Sequence, residues 1–263
     1  MNPTPQPPIV RSGQSGEKEM GVSMKVICFC SGFFSPAPKG YTLSMTLSQM
    51  AANKYALALH TTSPQLGLAV SNFAGDSRSQ TWDLGWELST QLHRLLAEFM
   101  LPQTWPDLAF IAAGKGPGSF TGTRIGVVTA RTLAQQLEIP LFAISTLAAV
   151  AHSHQLAQAC PDSAAIAVQM PAMRGQVFAG IYQPSGAGGL TPVFPDTALT
   201  PEAWQQTLDN LAHPYHLIGA QEGLANAASL LQLAYLDWQQ GLRPHWSEAL
   251  PFYGQHPVEG AAG

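Results

Sequence analysis

Gly114-Lys115-Gly116-Pro117-Gly118-Ser119-Phe120-Thr121-Gly122-Thr123-Arg124-Ile125-Gly126 is the stretch around which the rest of the chain is arranged. The apolar run Leu108 to Ala113 leads into it, and the small and apolar residues Val127 to Leu137 lead out. That order predicts a strand, a glycine-rich turn and a helix. Gly116, Pro117 and Gly118 punctuate the turn, and Ser119 or Thr121 is placed to cap the helix. Along it, Gly118, Gly122, Gly126, Ala130 and Ala134 recur every four residues, a ridge of very small side chains on one face. Glycine inside a helix costs up to about 1 kcal/mol relative to alanine. The usual compensation is close approach of another backbone, so a helix or a sheet should pack on this ridge. Two other readings stand beside that one. A turn opening a helix can cradle an anion with its amides and the helix dipole, or it can be a plain turn. A phosphate-binding P-loop is excluded, because Gly116 follows Lys115 where serine or threonine is required.

Outward from this stretch the pattern is orderly. Tyr55 to Leu59 and Leu66 to Val70 read as a hairpin around Thr61-Thr62-Ser63-Pro64-Gln65, and Arg78 to Trp82 as a third strand. Leu88, Leu92, Leu95, Leu96 and Phe99 fall at helical spacing, with Pro102 beyond the helix end. After the glycine turn and its helix, which stops before Pro140, Leu141 to Ile144 is a fifth strand. Three meandering strands followed by helix, strand, helix, strand predict a mixed sheet with helices against it. This is the ribonuclease-H-like half of an actin-type fold.

A second unit follows. Helices are expected at Thr146 to Cys160, Glu202 to Leu211 and Ala225 to Tyr235. Strands are expected at Ala164 to Gln169, Gln176 to Tyr182 and His216 to Gly219, with a Gly- and Pro-rich loop at Pro184 to Pro201. It reads as a reduced copy of the first unit. The expected fold class is therefore α/β, two-lobed, with mixed sheets flanked by helices and a smaller second lobe. The divisions are a leader over 1–50, an N-terminal lobe over 51–150 and a C-terminal lobe over 151–263. Met1 to Gly21, rich in Pro, Ser, Gly and Gln, is expected to be disordered. Met45 and Met50 each stand just before the first strand and are candidate true starts; a short targeting segment is the alternative.

Hydrophobic residues make up 46% of the chain and charged residues only 11%, which favours a partner-covered face. The net charge is −4, and the 12 Lys plus Arg form no basic run, so no nucleic-acid footprint is visible. Any RNA contact should come mainly from another protein. No apolar run reaches the roughly 18 residues that span a bilayer. Cys28, Cys30 and Cys160 suggest neither a disulfide framework nor a metal site, as expected of a reducing, cytoplasmic compartment.

Gly116 to Gly126, continued by Val127-Val128-Thr129-Ala130-Arg131-Thr132-Leu133-Ala134, resembles the signature of the tRNA threonylcarbamoyladenosine biosynthesis protein TsaB family. The resemblance covers Tyr55 to Ile144 and continues thinly to the C-terminus. It implies an actin-like, two-lobed subunit with no catalytic residues of its own. Such a subunit pairs with a homologous catalytic subunit, TsaD, which transfers threonylcarbamoyl to N6 of adenosine 37 in tRNAs reading codons that begin with A. A small ATPase, TsaE, completes the set. Pairing is implied through the two N-lobe helices, as a homodimer when alone or with the paralogue. tRNA is met only through the complex, and there is no membrane partner. No cofactor is implied for this chain, though ATP can belong to the complex. The interface residues this implies are Leu88, Leu92, Leu95, Phe99, Gly122, Ile125, Gly126, Thr129 and Ala130, beside the glycine-rich turn Gly116, Pro117, Gly118, Ser119, Phe120 and Thr121.

The chain departs from the family pattern in two places. His60 stands where actin-like proteins place an acid at the end of the first strand, and imidazole is a poor ligand for magnesium. The stretch Pro171-Ala172-Met173-Arg174 replaces an Asp-Ala-Arg segment, so Arg174 keeps the base one position along and the acid is gone. Both weigh against the alternative reading, an actin-fold ATPase or small-molecule kinase. Metal catalysis is not expected: His152-Ser153-His154 does not suit one helical face, and Pro214 interrupts His213 to His216. The His-x-x-x-His motif of the catalytic paralogue is absent. His93 reads as a polar-face residue, and Arg124 and Arg131 as rim charges.

Overall fold

A computed structural model describes residues 49–158, 164–185, 188–219 and 227–254 of the 263-residue chain. Most of the expected leader, all three cysteines and the start of the last expected helix lie outside the described residues.

Strands β1 (Tyr55–His60), β2 (Gln65–Ser71) and β3 (Ser77–Asp83) form the expected meander. β4 (Leu108–Gly114) and β5 (Leu141–Ile144) then add in parallel beside β1. The first sheet therefore runs β3-β2-β1-β4-β5. In the second sheet, β6 (Ala165–Pro171), β7 (Val177–Pro184), β8 (Leu190–Leu199) and β9 (Tyr215–Gly219) are ordered β8-β7-β6-β9. Antiparallel β6–β7 and β7–β8 pairs and a parallel β6–β9 pair repeat the first sheet without its fifth strand. The second unit is thus a reduced copy of the first.

One expectation is corrected here. The loop expected over Pro184 to Pro201 is for the most part β8, a ten-residue strand. Proline cannot donate to a ladder, so it is confined to edges and bulges. Among the described residues β8 is an edge strand bonded only to β7, with register shifts near Ile181, and there Pro192 and Pro195 are tolerated.

Alternation along the strands sorts side chains into layers. Leu57, Leu59 and Ile111 face α1 (Leu88–Met100) and α2 (Phe120–Leu137). Ala56, Ala58, Phe110 and Phe142 face the other way. They share one core with Leu147 and Val150 of α3 (Thr146–Gln158) and with Leu230, Leu231 and Ala234 of a later helix, Ala227–Gln239. Ile166, Val168 and Phe178 of the second sheet enter that same core. The outer face of that sheet buries Ala167 and Ile181 against Trp204 and Leu208 of α4 (Pro201–Asp209). With Ala227–Gln239 as α5, the order of layers is α1/α2, first sheet, α3/α5, second sheet, α4. The expected lobe boundary at residue 150 falls within α3.

Candidate partner interface

The glycine-rich turn is locked onto the end of β1. Ser119 N–H donates to Thr62 O at 2.7 Å, Thr146 N–H to Gly116 O at 2.9 Å and Lys115 N–H to Ile144 O at 2.9 Å. Ser119 is the N-cap, its hydroxyl accepting from Gly122 N–H at 3.2 Å. Gly116 has φ +103°, a left-handed value that favours glycine, and a Cβ there would collide with Phe252 O. The Ser119 amide that would greet an anion is therefore already taken by Thr62.

The small-residue ridge also faces inward. A Cβ on Gly122 would overlap Thr61 O, and one on Gly126 would overlap the Thr61 side chain. The Thr61 hydroxyl donates to Gly122 O at 2.8 Å from a position only 1% exposed. Ala130 and Ala134 are wholly buried in the core beneath α2. Close backbone approach is realised, but the neighbour is the chain's own β1–β2 turn. Gly122, Gly126 and Ala130, expected at a partner interface, pack here against the chain's own residues. Leu88, Leu92, Leu95 and Phe99 are likewise buried in the core beneath α1 and α2. Apolar spacing on α1 marked the face turned to the sheet, the commonest use of an amphipathic stripe.

What α1 and α2 leave open is the seam between them. Ile125, Val128, Thr129, Thr132 and Leu133 of α2 face Ser89, His93 and Leu96 of α1 across a groove of about 500 Å3, closed at one side by Trp105. Val128 is 57% exposed, an unusual position for a β-branched apolar side chain on a helix. Of the expected interface residues only Ile125 and Thr129 line this groove. His93, Val128 and Thr132 were missed. For Val128 and Thr132 the signal was present, because 125, 128, 129, 132 and 133 form a second helical stripe on α2. Arg124 sits on the groove rim with its guanidinium 5.6 Å from the Phe120 ring, which in turn lies 4.5 Å from Tyr253.

At the head of β1, His60 is 2% exposed, and burial lowers its pKa to about 4. Thr146 O–H donates to Thr62 Oγ1 at 3.0 Å, and Thr62 Oγ1 is in turn hydrogen-bonded to His60 Nε2 at 2.9 Å. The end of β1 thus carries a buried imidazole tied to two threonine hydroxyls. Arg174 is exposed in the β6–β7 turn with φ 59°. His154 and His216 lie 6.0 Å apart, ring to ring, but no group of three or more His, Cys, Asp or Glu among the described residues could hold a metal. No helix among the described residues is long and apolar enough to cross a membrane.

Comparison with known proteins gives three findings. Residues 88–226, more than half of the chain, match the family model described as TsaD: tRNA N6-adenosine threonylcarbamoyltransferase. The tRNA threonylcarbamoyladenosine biosynthesis protein TsaB of Bacillus subtilis is 38% identical over 134 residues, 51% of this chain and 55% of that protein. Its Escherichia coli namesake is 31% identical over 113 residues, 43% of this chain and 48% of that one. The chain thus spans about half the length of the curated relatives it matches. Among solved structures, YeaZ from Pseudomonas aeruginosa superposes with a TM-score of 0.64 at 24% identity, covering 76% of this chain and 99% of that one. That likeness confirms the two-lobed, mixed-sheet fold.

Proposed function

The chain belongs to the family described as TsaD, tRNA N6-adenosine threonylcarbamoyltransferase, and from that premise we propose that it is the non-catalytic partner subunit of a threonylcarbamoyl-transferring complex. The observation that carries the reading is the open α1–α2 groove, whose apolar floor has no neighbour among the described residues. A catalytic paralogue of the same fold would lay its own helix pair into this seam and bury Val128, Ile125 and Leu133. Relatives named for tRNA threonylcarbamoyladenosine biosynthesis supply the reaction to which the pairing belongs. The chain's contribution is a binding coupling: it stabilises whichever arrangement of the catalytic subunit presents the matching helices. Alone, it would pair with a second copy through the same groove, and a TsaE-like ATPase would join the assembled complex in the cytoplasm. tRNA would be held mainly by the other subunits, in keeping with this chain's net charge of −4.

An ATPase or kinase reading finds no support in the site. The turn that would cradle phosphate is bonded to Thr62, and the acid position is a buried His60. The sequence also lacks the His-x-x-x-His motif of the catalytic paralogue.

The test is size-exclusion chromatography with light scattering on the full chain, alone and mixed with the catalytic paralogue of the same organism. A mixed complex that restores threonylcarbamoyl transfer to tRNA, with Val128→Asp abolishing both, supports the proposal. Separate elution together with transfer by the paralogue alone would sink it.

A further inference from the structure

At the free β5 edge of the first sheet, two adjoining cavities of about 720 and 730 Å3 share Lys115, Ala143, Ile144, Asp237 and Phe252. Each falls within the size range of small-molecule sites. The floor is β5, one wall is α5, and the other is the segment carrying Phe252. That wall is fixed by backbone: Phe252 N–H donates to Lys115 O at 2.6 Å, and Phe252 O rests against Gly116.

The acids here differ in what they have. Asp196 is saturated, accepting from the Ser145 hydroxyl at 2.5 Å and from the Tyr182 hydroxyl, with Gly180 leaving room for the pair. The field of Lys115 falls on this same carboxylate. Asp237 is half-buried, and its carboxylate has no hydrogen bond or ion pair among the described residues. Desolvation raises its pKa. Leu233 and Leu236 flank it on α5, and Phe252 shares the cavity. Arg243, also on the lining, is turned away onto the Trp238 ring and donates to Trp238 O and Leu242 O. The charged groups of the joined trough are Lys115 and Arg243 against Asp196, Asp237 and Glu248, an excess of one negative charge.

We propose that this trough binds a small organic amine, its ammonium group on Asp237 and its apolar body between Leu233, Leu236 and Phe252. An unpartnered carboxylate on an apolar wall is costly to desolvate, and a ligand ammonium relieves that cost. An anion is repelled by the excess charge, and a neutral isostere leaves Asp237 as it was. The site is independent of the helix groove, so it stands or falls apart from the pairing reading.

Isothermal titration of the full chain with phenethylamine, phenethyl alcohol and hydrocinnamate separates charge from shape, and hexylamine checks an aliphatic body. The expected result is saturable binding of an amine only. Asp237→Asn should weaken it about tenfold or more while leaving the circular dichroism melt in place, and Lys115→Met should not weaken it. Equal binding of alcohol and amine, no saturable binding of either amine up to about 10 mM, or an affinity unchanged in a folded Asp237→Asn variant would each overturn the proposal.

Discussion

Replacing Gly126 with alanine adds one methyl group where Thr61 already stands. The new Cβ would lie 3.1 Å from Thr61 Cβ and 3.2 Å from its Cγ2, with Oγ1 nearer still. Thr61 cannot swing into water, since it is 1% exposed and its hydroxyl is bonded to Gly122 O. Overpacking of this kind costs about 1–3 kcal/mol, and disturbing the buried hydrogen bond adds about 1 kcal/mol. Alanine returns about 1 kcal/mol through its better helix propensity. The net expectation is a loss of about 1–3 kcal/mol, read as a lower urea midpoint at unchanged slope by circular dichroism. In a Thr61→Ala background Oγ1 and Cγ2 are gone and only the 3.1 Å Cβ contact remains, so the same substitution should cost clearly less. The double-mutant cycle should show coupling of about 1 kcal/mol or more. If Gly126→Ala instead raised stability by about 1 kcal/mol, helix propensity alone would be at work. The inward packing of the ridge would then be refuted.

Three further outcomes follow from the structure. Val128→Asp should change the stability of the isolated chain by no more than about 0.5 kcal/mol yet abolish co-elution with the catalytic paralogue, because its side chain is exposed in the groove. His60 is held neutral, with its folded pKa lowered from 6.5 to about 4. Its contribution is therefore complete above pH 6.5 and lost as pH falls toward 4, by up to about 1.4 kcal/mol per unit; a His60→Gln variant should flatten that part of a stability–pH curve. Glu138 closes α2 with φ 54° and is exposed, so Glu138→Gly should gain about 0.5–1 kcal/mol, visible as a higher thermal midpoint.

The sequence carried the first sheet almost residue by residue, because β1, β2, β4 and β5 are apolar runs bounded by turn chemistry and α1 has an unbroken leucine stripe. β8 was hidden by Pro192 and Pro195, whose usual meaning is a loop unless the strand is known to be an edge. The four-residue repeat on α2 announced a close approach correctly, but periodicity names a face and not the neighbour on it. Only the fold brings Thr61, some sixty residues earlier, onto Gly122. The groove stripe from Ile125 to Leu133 is weaker in the sequence than the leucine stripe of α1, because two of its five members are threonines. The Asp237 trough was not legible, being assembled from β5, α5 and a segment near the C-terminus.

The layering also sets an order of events during synthesis. The first sheet has all its strands by Ile144, but α5, which covers Ala56, Ala58, Phe110 and Phe142, ends at Gln239, about 95 residues later. At about 5–20 residues per second, that apolar sheet face waits roughly 5 to 20 s on the ribosome for its cover. A chaperone able to hold an open sheet should therefore find this nascent chain when little more than half of it has been made, and release it only after α5 has emerged.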